Sequence, residues 1–98
     1  MNSGILPEHL KKILGILRAY PQIQEVILFG SRAKGNYREG SDIDLALKGK
    51  NLDSRLLTLI GIDYDALYLP WKLDVILYDQ IENADLKDHI DRVGVNLA

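Results

Sequence analysis

Asp42-Ile43-Asp44 limits what this chain can fold into more than any other stretch. It opens an apolar run, Ile43 to Leu47, that follows the loop after a first apolar run ending in Phe29. In an extended strand alternate side chains share a face, so the two aspartates point together and Ile43 and Leu45 point the other way. Two like charges about 4 Å apart repel by roughly 4 kcal/mol at an effective dielectric near 20. A hard divalent cation such as Mg²⁺, which takes carboxylate oxygens and keeps room for water and phosphate, turns that repulsion into attraction. Asp42 and Asp44 are therefore candidate metal ligands. A bare Asp-x-Asp is also consistent with a solvated turn, and two further features favour the ligand reading. One is the Gly30-Ser31 turn upstream. The other is Asp74, a lone acid inside the apolar segment Lys72 to Tyr78.

The rest of the chain supplies a frame for these acids. Pro7 suits a first helical turn, and Leu6, Leu10, Ile13, Leu14 and Leu17 recur at helical spacing up to Tyr20, where Pro21 forbids continuation. Residues 1–6 read as a loose lead, and His9 reads as solvent-facing. Gln24 to Phe29 is a strand buried on both faces. At its end Gly30 lets backbone approach a ligand closely, and Ser31 can open a short helix whose free N–H groups attract phosphate oxygens. Asp42 to Lys48 is the second strand and Gly49-Lys50-Asn51 a turn. Asn51 is the expected N-cap of a helix bearing Leu52, Leu56, Leu59 and Ile60, with its end between Gly61 and Ala66. Lys72 to Tyr78 is the third strand. If it lies beside the second, Asp74 reaches the face of Asp42 and Asp44, with Asp79 as a competing third ligand. Trp71 is expected in the core, with the edge of a base pocket as the alternative. Asn83 caps a last helix carrying Leu86, Ile90 and Val93, with His89 on its polar flank. Gly94 either stops that helix or marks a close contact. Val95 and Leu97 hint at an interface.

Look-alike motifs fail on specific residues. Gly30 and Gly35 have the spacing of a Walker A loop, but Asn36 stands where the phosphate-gripping lysine is required. Ala46 and Leu47 exclude an EF-hand. Asp63-Tyr64-Asp65 repeats the acid spacing, yet no apolar strand surrounds it. Among the basic residues of the loop, Arg32 beside Ser31 is the candidate for neutralising phosphate charge, with Lys34 and Arg38 ranked below it.

Gly30-Ser31, Asp42-Ile43-Asp44 and Asp74, in that order, resemble the nucleotidyltransferase superfamily related to DNA polymerase beta. The resemblance runs from about Val26 to Gly94. Together with Leu69-Pro70-Trp71-Lys72-Leu73-Asp74 and the short chain, it looks most like the minimal nucleotidyltransferase (MNT) proteins that accompany HEPN-domain toxins. The resemblance implies an α/β (α+β) nucleotidyltransferase fold with a short mixed sheet and helices packed mainly on one face, formed as one domain over residues 1–98. It implies ATP as donor and two Mg²⁺ ions held by Asp42, Asp44 and Asp74. Gly30 and Ser31, with Arg32, would lie on the phosphates. The acceptor would be a hydroxyl, tyrosine above all, of a HEPN toxin partner in a hetero-oligomer. A non-catalytic antitoxin, and adenylylation of a small molecule such as an aminoglycoside, are the alternatives.

Composition narrows the field. The 98 residues hold no cysteine, which excludes disulfides, thiolate zinc and a thiol nucleophile. The net charge of −2 disfavours a stable grip on nucleic acid. No apolar run approaches a membrane span and the start lacks a signal-peptide core, so a cytoplasmic protein is expected.

Overall fold

A computed structural model describes residues 3–98. Helix α1 (Pro7–Arg18) starts on the proline and buries Ile13, Leu14 and Leu17. It stops at Arg18, short of Tyr20, and the basic side chain in its last turn suits the negative end of the helix dipole. Strand β1 (Ile23–Phe29) is buried throughout its Val26–Phe29 run. The four-residue helix α2 (Ser31–Lys34) follows Gly30, and strand β2 (Ile43–Gly49) follows the loop after it. Helix α3 (Ser54–Asp65) leads to strand β3 (Leu73–Leu77) and a 3-10 turn over Tyr78–Gln80. Helix α4 (Ala84–Val93) and the two-residue strand β4 (Val95–Asn96) close the chain.

The four strands form one mixed sheet in the order β3-β2-β1-β4. β2 runs antiparallel to β1 and parallel to β3. The alternation read from the sequence becomes two apolar layers. Val26, Leu28, Ile43, Leu45, Leu47 and Leu77 meet α1 and α3 on one face. On the other face Ile27, Phe29 and Ala46 receive Ile90 of α4, with Leu86 partly buried beside it. The expected α/β architecture, with helices mainly on one face, is the one found. Its second face stays half open, and that is the face on which Asp44 and Asp74 lie.

Several local expectations are corrected. Asn51 adopts a left-handed backbone (φ 58°) and belongs to the turn leaving β2, so it cannot cap a helix. Asp53 caps instead, its carboxylate accepting the Leu56 N–H at 3.0 Å. Leu59, placed on the packing stripe, is exposed, and Tyr64 takes the buried position one turn beyond Ile60. Asp63, rightly set apart from the acids of the site, accepts the Tyr20 hydroxyl at 2.8 Å and ties α3 to the end of α1. Of the lead, Met1 and Asn2 lie outside the described residues. Ser3 and Ile5 are buried, because their backbone and side chain fold under the core. Val95 and Leu97 signal no interface: β4 pairs with β1, and both residues pack on the larger apolar cluster. Both readings of Gly94 hold. Its N–H bonds Ile90 O at 2.8 Å as the helix ends, and a Cβ there would strike Ile27. Among the described residues no helix is long and apolar enough to cross a membrane.

Candidate active site

The parallel register of β2 and β3 sets Asp44 directly opposite Asp74. Both side chains therefore leave the sheet on the same face, opposite the pair Leu73 and Val75 that packs against the core. Asp42 is exposed, one residue before β2 begins. Asp44 feels the other two acids. Asp44 is half buried, and its pKa is raised above the ordinary carboxylate value of 3.8, first by desolvation, then by Asp74 and then by Asp42, against an opposing pull from His89. Asp79 lies beyond the opposite end of β3, in the 3-10 turn, and lines a different cavity with Leu47, Gly49 and Asn51. It cannot be the third member of this group.

Gly30 explains the other half of the motif. Its backbone lies at φ 74°, ψ −155°, open to glycine and strained for other residues. A Cβ at this position would collide with the Asp44 carboxylate. The turn thus brings bare backbone against an acid of the site, and Ser31 starts α2 immediately after it.

Arg32 does not face a phosphate. Its side chain is the largest fully buried one, at 1% exposure. Its guanidinium donates from Nε and Nη2 to the Ser41 carbonyl (3.1 and 2.9 Å), from Nη1 to that of Ser3 (2.8 Å) and from Nη2 to that of Glu39 (3.3 Å). The rings of Tyr37 and Trp71 stack over it at 5.1 and 5.4 Å. All this fixes Ser41, and with it the position of Asp42, from beneath. The sequence suggested a charge for the ligand because Arg32 follows Ser31. In a helix that adjacency turns the side chain away from the turn, into the loop. Lys34, at the end of α2, and Arg38, in the loop after it, are exposed.

Two histidines sit differently from expectation. His9 is half buried, its ring edge-on to Trp71 at 5.4 Å between centroids, and its Nδ1 has no hydrogen-bond partner among the described residues. His89 leaves the polar flank of α4 and reaches the site, where its Nε2 accepts the Gly30 N–H at 3.2 Å. Helical spacing could not reveal this, because the contact depends on α4 crossing the second face of the sheet. Trp71 packs on the core as expected and also lines a cleft of about 400 Å³ with Glu39, Gly40 and Pro70.

Among the described residues no three His, Asp or Glu side chains stand ready-made to chelate an ion. The donor chemistry nevertheless suits a hard cation. Asp44 and Asp74 are oxygen acids on one face, and burial first, then the charges of Asp74 and Asp42, pushes Asp44 toward its neutral form.

Comparison with known proteins identifies the family. The family model of a nucleotidyltransferase domain matches residues 10–93. A Methanocaldococcus jannaschii protein described as a protein adenylyltransferase is 31% identical over 101 residues, covering 95% of each chain. A solved toxin–antitoxin complex with AMP-PNP contains a chain 26% identical, with a TM-score of 0.75 over 91% of this chain and 72% of that one. A tri-AMPylated Shewanella oneidensis HEPN toxin in complex with MNT antitoxin offers a likeness of fold, at 22% identity and a TM-score of 0.68 over 91% of this chain and 68% of that one. The chain belongs to the nucleotidyltransferase domain family.

Proposed function

We propose that this protein is a protein adenylyltransferase of the antitoxin type, which moves AMP from ATP to a tyrosine hydroxyl of a HEPN toxin and so silences it. The observation that carries the proposal is the opposition of Asp44 and Asp74 across two parallel strands, beside a glycine turn that tolerates no Cβ. The 31% identical adenylyltransferase and the AMP-PNP-bound complex support the donor and the class of acceptor. On this reading the protein works in the cytoplasm, as part of a hetero-oligomer.

Asp42, Asp44 and Asp74 would hold two magnesium ions, which supply Lewis-acid charge at the α-phosphate and at the attacking and leaving oxygens. The chain's own residues do the rest. Ser31, presented by the Gly30 turn whose own N–H goes to His89, holds the β,γ-phosphates and orients the triphosphate so that the α-phosphorus faces Asp74. The acceptor oxygen attacks that phosphorus in line. Asp74, exposed at the open face, takes the hydroxyl proton. A bond forms from the acceptor oxygen to the α-phosphorus while the bond from that phosphorus to the α,β-bridging oxygen breaks, and pyrophosphate leaves with the electron pair.

The test is incubation with α-labelled ATP, MgCl₂ and a HEPN toxin, taken from the neighbouring gene if one is encoded there. Label should pass to the toxin, and a toxin Tyr→Phe series should remove it. Neutralisation of the toxin that persists unchanged in Asp42→Asn and Asp44→Asn, with no label transferred, would establish an antitoxin that only binds.

A further inference from the structure

We infer that His89 is a positioning residue for nucleotide binding, an acceptor carried on α4 that holds the Gly30 turn against Asp44. The inference deepens the nucleotidyl-transfer reading and rests on it. Three observations point the same way. The His89 Nε2 accepts the Gly30 N–H at 3.2 Å, a contact that spans 59 residues of sequence. The imidazole stands edge-on to Phe29, with centroids 6.3 Å apart and planes at 79°, so the ring is fixed from the side as well as at its nitrogen. And Gly30 is the residue whose backbone occupies the space beside the Asp44 carboxylate.

Together these explain a feature that β1 leaves open. Gly30 lies just past the last β1–β2 pair, Phe29 and Asp44, and its φ of 74° turns the chain out of the ladder. Its N–H then needs an acceptor that the sheet does not supply. His89 supplies it, and its neighbour Ile90 is the residue that anchors α4 on the second face. The helix on the sparsely covered face thus braces the turn that presents Ser31, and this gives the small sheet a reason to keep a helix there.

The experiment is calorimetric titration of AMP-PNP with MgCl₂ into the full chain, alongside backbone amide exchange at Gly30. His89→Phe keeps an aromatic ring against Phe29 and removes the acceptor; His89→Gln keeps an acceptor; Leu86→Ala loosens α4 without touching Gly30. The expected result is a dissociation constant raised tenfold or more in His89→Phe, restoration to within threefold in His89→Gln, and faster Gly30 exchange in the first only. Leu86→Ala should lower the melting temperature and leave nucleotide affinity in place. Equal affinity in His89→Phe and wild type overturns the inference, as does a loss in Leu86→Ala matching that in His89→Phe. If the wild-type chain itself fails to bind AMP-PNP, the nucleotidyl-transfer reading falls and this inference with it.

Discussion

Two charged groups in this molecule, Arg32 and Asp44, meet burial in opposite ways. The Arg32 guanidinium is almost wholly enclosed, and every direction it faces offers a carbonyl oxygen or a ring. The Asp44 carboxylate is only half buried, yet Asp42 and Asp74 both crowd it with charge of its own sign. A buried charge surrounded by partners is scaffold, because breaking it leaves carbonyls unsatisfied. A carboxylate surrounded by acids is a site awaiting something positive. The two are coupled, since the Ser41 carbonyl that Arg32 grips adjoins Asp42.

The contrast is broken most directly by exchanging charge for shape. Asp44→Asn or Asp74→Asn should cut AMP transfer by about a thousandfold, the several kcal/mol expected when a metal-holding acid is lost, with the fold intact by circular dichroism. Arg32→Ala should act the other way. It exposes three carbonyls and opens a cavity, at a cost of about 3 kcal/mol and a melting temperature lower by roughly 12–24 °C. Any loss of activity should follow the unfolded fraction. An Arg32→Ala protein as stable as wild type but unable to bind ATP would restore the phosphate role expected from sequence.

Gly30→Ala touches both regions. A methyl group must enter the space of the Asp44 carboxylate from a backbone at φ 74°. The strain is about 1–2 kcal/mol, and melting temperature should fall by several degrees. Displacement of Asp44 should cost roughly a hundredfold in transfer rate. Loss of stability without loss of rate would separate the turn from the site.

Much of this was legible beforehand because it depends on period. Strand alternation put Asp44 and Asp74 on one face, and the unbroken run before Gly30 marked a strand covered on both sides. What escaped depends on how elements cross. Arg32 and His89 were each assigned by sequence neighbours, Ser31 for one and the polar flank of α4 for the other. Their partners, Ser3, Glu39 and Ser41 for one and Gly30 for the other, come from packing that no local pattern records. The Asn51 error was smaller and of another kind: two good caps stood two residues apart, and backbone handedness chose between them.

The mildest test of the comparison concerns pH. Because burial, Asp74 and Asp42 raise the Asp44 pKa above its unfolded value, the folded state binds that proton more tightly than the unfolded chain. The stability this adds is fully present below the ordinary value of 3.8 and is lost as pH rises through the raised one. At neutral pH the ionised cluster therefore works against the fold. Asp44→Asn removes the repulsion, so its melting temperature should exceed that of wild type by a few degrees at pH 7, with the gap closing toward pH 4. MgCl₂ should stabilise wild type and leave Asp44→Asn nearly unchanged, narrowing the gap at pH 7. A gap independent of both pH and magnesium would mean that the aspartates do not sense one another, and the contrast with Arg32 would lose its electrostatic half.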